Sequence, residues 1–387
     1  MTRFSSEILG VAESPLIRIG TLAEAMPGAI KLCYGESDTP TPEFIARAAY
    51  DAARAGHTFY THTAGYLELR EAIARKVLEL HGAAYRPSEI TCTVGATMGV
   101  FIAVRAFVHA GDNAVVVTPA YSTFMNAVTL AGGQPRAVPL TLDAGRYVLD
   151  LDRVRRAIDA RTRLLVVNSP SNPTGWIISP DEQRALYELA VSHDLVILSD
   201  EVYDRLAFDA PVARSFASAA DDKAHIVVVN SFSKTYNMTG WRLGWVQGDE
   251  RAITRMTSAA EFVTSNATSI VQQAGIVALR DGEPWIAELR RTYAARRDQV
   301  STALRAMPGL SAIEPRGAFF AFARVDGLAD SAAFALHLLE ATSVAVTPGS
   351  AFGDGGEGHI RICFASGETV IGEAMARLAA YMRRRAG

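Results

Sequence analysis

Six short runs of aliphatic and β-branched residues constrain this chain most strongly. They are Ile90–Val94, Ala114–Thr118, Leu164–Val167, Leu195–Leu198, Val227–Val229 and Leu243–Val246. A strand covered on one face alternates apolar and polar residues, whereas one covered on both faces reads as a continuous apolar run. Helical patterns fill the gaps, notably over 96–109 and 181–192. The predicted class is α/β, a mainly parallel sheet with helices on both faces. From about Pro284 the texture changes to a long arginine-rich helix over Trp285–Leu304, then short mixed elements and a last helix over Glu368–Arg385. A chain of 387 residues exceeds one simple core. The expected division is an N-terminal segment 1–45 packing with the small domain, a large domain 46–284, and a small α+β domain 285–387.

Open α/β sheets bind ligands beyond the carboxyl ends of their strands, and five of these ends carry chemistry. Gly95-Ala96-Thr97 follows the first run and Pro119-Ala120-Tyr121 the second. Asn168 to Gly175, containing Asn172, follows the third; Asp200, Glu201 and Tyr203 follow the fourth. The fifth leads into Ser231-Phe232-Ser233-Lys234, with Arg242 just beyond. Lysine is scarce: Lys31, Lys76, Lys223 and Lys234 are all there are among 38 basic residues. Arginine neither deprotonates nor forms a Schiff base in a protein, and lysine does both. Lys234 therefore reads as a reactive amine.

The chemistry that needs this set is carbanion stabilisation by pyridoxal 5′-phosphate. Lys234 would hold the cofactor, and Asp200 would pair with its ring nitrogen. The phosphate calls for a helix start (Gly95, Ala96, Thr97), hydroxyls (Ser231, Ser233) and a fixed cation (Arg242). Asn172 and Tyr203 offer hydrogen bonds to the ring's phenolic oxygen, and Tyr121 a flat face for stacking.

From about Pro15 to its end, the chain resembles the class I/II aminotransferases of the fold-type-I pyridoxal-phosphate enzymes, aspartate/aromatic aminotransferase-like. Ser231 through Gly244 is similar to that family's lysine signature, Asn168–Gly175 to its asparagine-proline turn, and Asp200–Tyr203 to its acid-to-tyrosine strand end. His359-Ile360-Arg361-Ile362 is similar to the segment whose arginine clamps the substrate carboxylate, and Gly35 to the glycine lying against it. Tyr60, ahead of Gly65 and Leu69–Ile73, resembles the segment that reaches a neighbour's phosphate. The resemblance implies a seven-stranded sheet and a homodimer with Tyr60 contributed across the interface. Asn172, Gly35 and Arg361 would bind substrate. Lys234 would act as general base and then acid, passing an amino group from an L-amino acid to a 2-oxo acid by a ping-pong mechanism. Two alternatives stand beside this one: a lyase or natural-product biosynthetic enzyme with the same cofactor, and a non-catalytic cofactor-binding regulator domain. Only about fifteen residues precede the resemblance, with no basic helix, which counts against the regulator.

Relatives acting on acidic amino acids carry a basic residue near Met98, which is absent here. Leu16, Ile17, Met98, Trp176 and Phe319 are candidates for an apolar substrate pocket, favouring neutral or aromatic donors. Arg18 keeps an acidic donor in play. Gly99, within a helix, suggests close approach to the cofactor. Gly353–Gly358 follows no strand and opens no helix, so it reads as a surface turn. A net charge of −3 gives no sign of nucleic acid or an anionic membrane. No apolar run reaches spanning length, eight histidines show no paired ligand spacing, and three scattered cysteines point to a reducing compartment. A cytoplasmic enzyme without a metal is expected.

Overall fold

The computed structural model describes residues 4–11, 13–220 and 222–386. The chain enters through helix α1 (Pro15–Glu24), which turns Ile19, Gly20 and Ala23 inward. A methyl on Gly20 would meet the Tyr34 ring at 2.3–2.8 Å, so the missing side chain lets α1 lie against that ring. Helix α2 (Leu67–His81) ends at Gly82, whose left-handed φ of +67° suits a residue without Cβ.

The large sheet begins with β1 (Ile90–Thr93), which runs into helix α3 (Gly95–Phe107). It continues with β2 (Asn113–Thr118), β3 (Gln134–Pro139), β4 (Thr162–Asn168), β5 (Val196–Asp200) and β6 (Ile226–Ser231). The four-residue helix α4 (Phe232–Thr235) then precedes β7 (Gly244–Gly248). The spatial order is β1-β7-β6-β5-β4-β2-β3. Pairings from β6 to β3 are parallel, and β7 runs antiparallel to both its neighbours.

The apolar runs are continuous because alternate residues enter two different cores. Val115, Leu165, Ile197 and Val228 point into one; Val116, Val166, Leu198 and Val229 point into the other, against Val100, Ala103 and Val104 of α3. The seventh strand, β3, escaped the apolar reading. It holds Gln134, Pro135, Arg136 and Pro139, and an edge position tolerates such residues.

Helix α5 (Glu283–Arg305) leads to an antiparallel sheet of β8 (Leu310–Ala312), β9 (Phe320–Val325), β10 (Thr347–Pro348) and β11 (His359–Cys363), in the order β8-β9-β11-β10. Helices α6 (Ser331–Thr342) and α7 (Glu368–Ala386) complete this region. The two ends of the chain meet here: Ile30–Lys31 pairs in parallel with Val344–Ala345, and the Cys363 amide donates to the Leu32 carbonyl at 2.9 Å. Among the described residues no helix is long and apolar enough to cross a membrane.

Candidate active site

Beyond the carboxyl ends of β4, β5 and β6 lies a cavity of about 250 Å³. It is bordered by Gly35, Ala96, Thr97, Tyr121, Asn172, Asp200, Tyr203, Ser231, Ser233, Lys234, Arg242 and Arg361. These come from both sheets, the N-terminal segment and the loops between strands. Gly95 stands just behind the wall, under Arg242. Tyr60 is elsewhere, 90% exposed on the surface of the chain.

Lys234 projects from α4, whose start is capped by the Ser231 hydroxyl accepting from the Ser233 amide at 3.0 Å. Its ammonium donates to the Gly35 carbonyl at 2.6 Å and lies 5.8 and 5.9 Å from the Phe319 and Tyr203 ring centres. Burial lowers the Lys234 pKa to about 8; the Arg361 and Arg242 charges act in the same direction, against Cys363 and Glu36. Burial has the opposite consequence for the acid at the end of β5, raising the Asp200 carboxyl to about 7. One hydrogen bond, from the Val202 amide at 3.2 Å, opposes that rise together with the Lys234 charge, while Glu201 adds to it. Glu201, just past the end of β5, turns away from the cavity and accepts from Ser199 and the Phe216 amide at 2.8 and 2.9 Å.

Arg361, on β11, is 1% exposed. Nη1 donates to Asn172 Oδ1 at 2.9 Å, and Nη2 to Thr347 Oγ1 at 3.0 Å and to the Cys33 carbonyl. Its guanidinium lies between Phe320 and Phe352, 4.4 and 5.0 Å from their centres. Three of its five N–H groups are thereby engaged, and Nε has no partner. One Nη1 hydrogen is left for an anion, while the unpartnered Nε is buried.

At the other end of the cavity, no side chain caps the first turn of α3. Its leading amides are unpaired within the helix, as at every helix start. Gly95 has φ +75°, and a methyl there would fall 2.2 Å from Arg242 Nη2. A methyl on Gly244 would fall 2.8 Å from the Ala96 nitrogen. Two glycines thus keep open a cradle of amides, a guanidinium and the hydroxyls of Ser231 and Ser233, suited to a phosphate dianion. The buried, under-partnered Asp200 suits a protonated ring nitrogen, and Lys234 suits an aldehyde. The donor set fits pyridoxal 5′-phosphate along its whole length.

Of the expected apolar lining, Leu16 borders the cavity, whereas the others do not. Ile17 is 64% exposed on the outer side of α1. Met98 packs into the core on the α3 side of the sheet, Trp176 into the core on the opposite side, and Phe319 is buried beneath Tyr203. Arg18 borders a separate groove with Glu13 and Asp330. Gly99 serves packing and not the cofactor: a methyl there would meet Val246 at 2.8 Å and Val229 at 3.1 Å. The Gly353–Gly358 segment is a largely exposed turn, as expected, with one buried anchor. Gly356 is buried against Gly349, and the Glu357 carboxylate accepts from the Ser331 amide at 2.7 Å.

Several residues that matter to the geometry were not singled out in the sequence. Asn168 accepts from the Asn172 amide at 2.7 Å and donates to the Asp200 carbonyl at 3.0 Å, holding two wall residues in register. Thr347, Phe320 and Phe352 orient Arg361 from positions nine or more residues away in sequence. Only Asn168, at a strand end beside a proline turn, was open to detection.

The sequence profile of the family Aminotransferase class I and II matches residues 27–378. The chain is 35% identical over 379 residues to an aromatic-amino-acid aminotransferase of Thermococcus litoralis, covering 97% of each chain. It is 36% identical over 380 residues to an aspartate aminotransferase of Pyrococcus abyssi, again covering 97% of each. A solved structure of Thermus thermophilus aspartate aminotransferase, a single mutant, superposes with a TM-score of 0.92 at 35% identity, over 98% of this chain and all of that one. The chain belongs to the class I and II aminotransferases, enzymes that use pyridoxal 5′-phosphate to move an amino group from an amino acid to a 2-oxo acid.

Proposed function

We propose that this aminotransferase takes neutral or aromatic L-amino acids as preferred donors. One observation carries the reading. Among the described residues, the cations bordering the cavity are Lys234, Arg242 and Arg361, and each has a task. Arg361 receives the α-carboxylate, with Gly35 and Asn172 beside it. Arg242 stands at the phosphate end with Gly95, Ala96, Thr97, Ser231 and Ser233. Lys234 is the acid–base group. A distal carboxylate would face Leu16, Tyr121 and Phe124 instead of a cation, and burying an unpaired carboxylate is costly.

When bound, pyridoxal 5′-phosphate supplies the electron sink that makes the amino acid's α-proton removable. The chain does the rest. Asp200, ionised against a ring cation, keeps that sink open. Asn172, its Oδ1 held by Arg361, has its amide donors free for the ring oxygen, and Tyr203 offers its hydroxyl from the same side. Tyr121 forms the stacking face. Lys234 Nζ takes the α-proton and returns it, a role that requires the depressed pKa that burial gives it. Two such half-reactions in series make the kinetics ping-pong.

The reading extends to assembly and place. Tyr60, with Phe59 beside it at 79% exposure, supports a homodimer in which Tyr60 reaches the partner's phosphate cradle. A cytoplasmic enzyme divided at 1–45, 46–284 and 285–387 is part of the same proposal. The relative named as an aspartate aminotransferase favours an acidic donor as the second reading. A half-reaction screen of amino acids, read at the cofactor's absorbance, separates the two. Phenylalanine, tyrosine or leucine should exceed aspartate by about 100-fold or more in kcat/KM, the scale of one uncompensated buried charge at about 3–5 kcal/mol; aspartate in first place would overturn the preference.

A further inference from the structure

Behind the active site lies a second, smaller cavity of about 30 Å³, and Ser231 borders both. Its walls hold a buried polar chain that the chemistry above leaves unused. His81, at the end of α2, has a side chain 5% exposed, and its Nε2 lies 3.5 Å from Asp204 Oδ2. The same oxygen accepts from Asn230 Nδ2 at 3.1 Å. Asn230 Oδ1 in turn accepts from the Ser231 amide at 2.7 Å. Ser231 caps the helix that carries Lys234 and turns its hydroxyl toward Ser233 Oγ at 2.9 Å.

The direction of this chain is set by Asp204. An ionised carboxylate only accepts hydrogen bonds, so it forces the Asn230 amide to present NH2 to itself and its oxygen to Ser231. The other carboxylate oxygen is committed to the Arg205 amide at 2.7 Å. A carboxylate 5% exposed needs a compensating charge. His81 stands where that charge is required. Burial alone would lower its pKa, but the Asp204 hydrogen bond and charge, with Glu201, raise it against the opposing Arg205.

We propose that His81 and Asp204 are positioning residues for the phosphate end of the cofactor, acting through Asn230 on Ser231. The proposal rests on the assignment of Ser231 to the phosphate cradle. Replacing Asp204 by Asn removes the rule that orients Asn230, so a flipped amide would set NH2 against the Ser231 N–H and loosen the cap. Replacing His81 by Gln leaves Asp204 without its cation and weakens the same link more gently.

The test uses the full-length enzyme loaded with pyridoxal 5′-phosphate or with phosphate-free pyridoxal, with retention measured from visible absorbance in equilibrium dialysis. Ser231→Ala should weaken retention of the phosphorylated cofactor and leave pyridoxal unchanged. Asp204→Asn should do the same by about tenfold, or about 1.4 kcal/mol, and His81→Gln by a few-fold. Asp204→Asn combined with Ser231→Ala should lose less than the two single effects together, because both act through one hydroxyl. If Ser231→Ala affects both cofactors equally or neither, the assignment of Ser231 fails and the proposal with it. If Ser231→Ala discriminates while His81→Gln and Asp204→Asn do not, the assignment stands and the positioning chain is overturned. Should Asp204→Asn fail to fold, His81→Gln decides alone.

Discussion

Arg361→Lys is the sharpest perturbation of the substrate end of this site. The replacement keeps a positive charge and an aliphatic stem that fits between Phe320 and Phe352, but it abandons the fork. In the native site Asn172, Thr347 and Cys33 hold three of the guanidinium N–H groups, which fixes the plane of the group and aims the remaining Nη1 hydrogen. An ammonium has three donors and no plane, so it cannot satisfy those three anchors and also donate to a carboxylate. One charge-assisted hydrogen bond is lost from the bound substrate, worth about 1.5–3 kcal/mol. The expected fall in kcat/KM for an amino acid is about 10- to 150-fold. Single-turnover half-reactions, followed at the cofactor's absorbance, measure it directly. A primary amine with the same side chain and no carboxylate provides the control, and its slow turnover should change less than about threefold, since it never used the lost bond. Equal losses for the amine and the amino acid would refute the reasoning, because they would mean that Arg361 acts on the fold or the cofactor instead of on the carboxylate.

Three further outcomes follow from the same geometry. Burial disfavours the ammonium of Lys234, so its neutral, reactive form gains as pH rises through about 8; the rate at which the cofactor-free enzyme captures pyridoxal 5′-phosphate should rise with a midpoint there, and a midpoint above 10 would contradict the effect of burial. Gly95→Ala should cost about 1–2 kcal/mol in denaturant unfolding from its left-handed φ and also weaken cofactor retention by displacing Arg242, while Gly28→Ala, at φ +74° with nothing within 4 Å, should show the stability loss alone. If Tyr60 serves the neighbouring site, mixing inactive Lys234→Ala with impaired Tyr60→Ala under subunit exchange should restore activity, because one site of each mixed dimer is intact; no recovery despite demonstrated exchange would remove the cross-subunit role.

Much of the site was legible because its members sit at predictable places. Asp200, Asn172, Tyr121 and Lys234 each follow an apolar run whose continuity marks a strand covered on both faces, and strand ends in such sheets face the same crevice. The apolar lining was poorly legible for a related reason. Met98, Trp176 and Phe319 are large and hydrophobic, which says only that they seek burial, and in this fold three different cores compete for them. β3 was missed because an edge strand needs neither continuous apolar residues nor a full set of amide donors.

The sequence by itself determined the sheet, the scarce lysine at its rim, and the residue types that only a carbanion-stabilising cofactor would bring together. Those properties are local, written in runs of a few residues and in spacing. The tertiary structure decided what depends on neighbours remote in the chain. It set the burial that moves Lys234 and Asp200 toward neutrality. It brought Cys33, Asn172 and Thr347 around Arg361, and it turned Arg18 away from the cavity. Desolvation and hydrogen-bond direction arise only when separate elements pack, so no reading of one segment contains them.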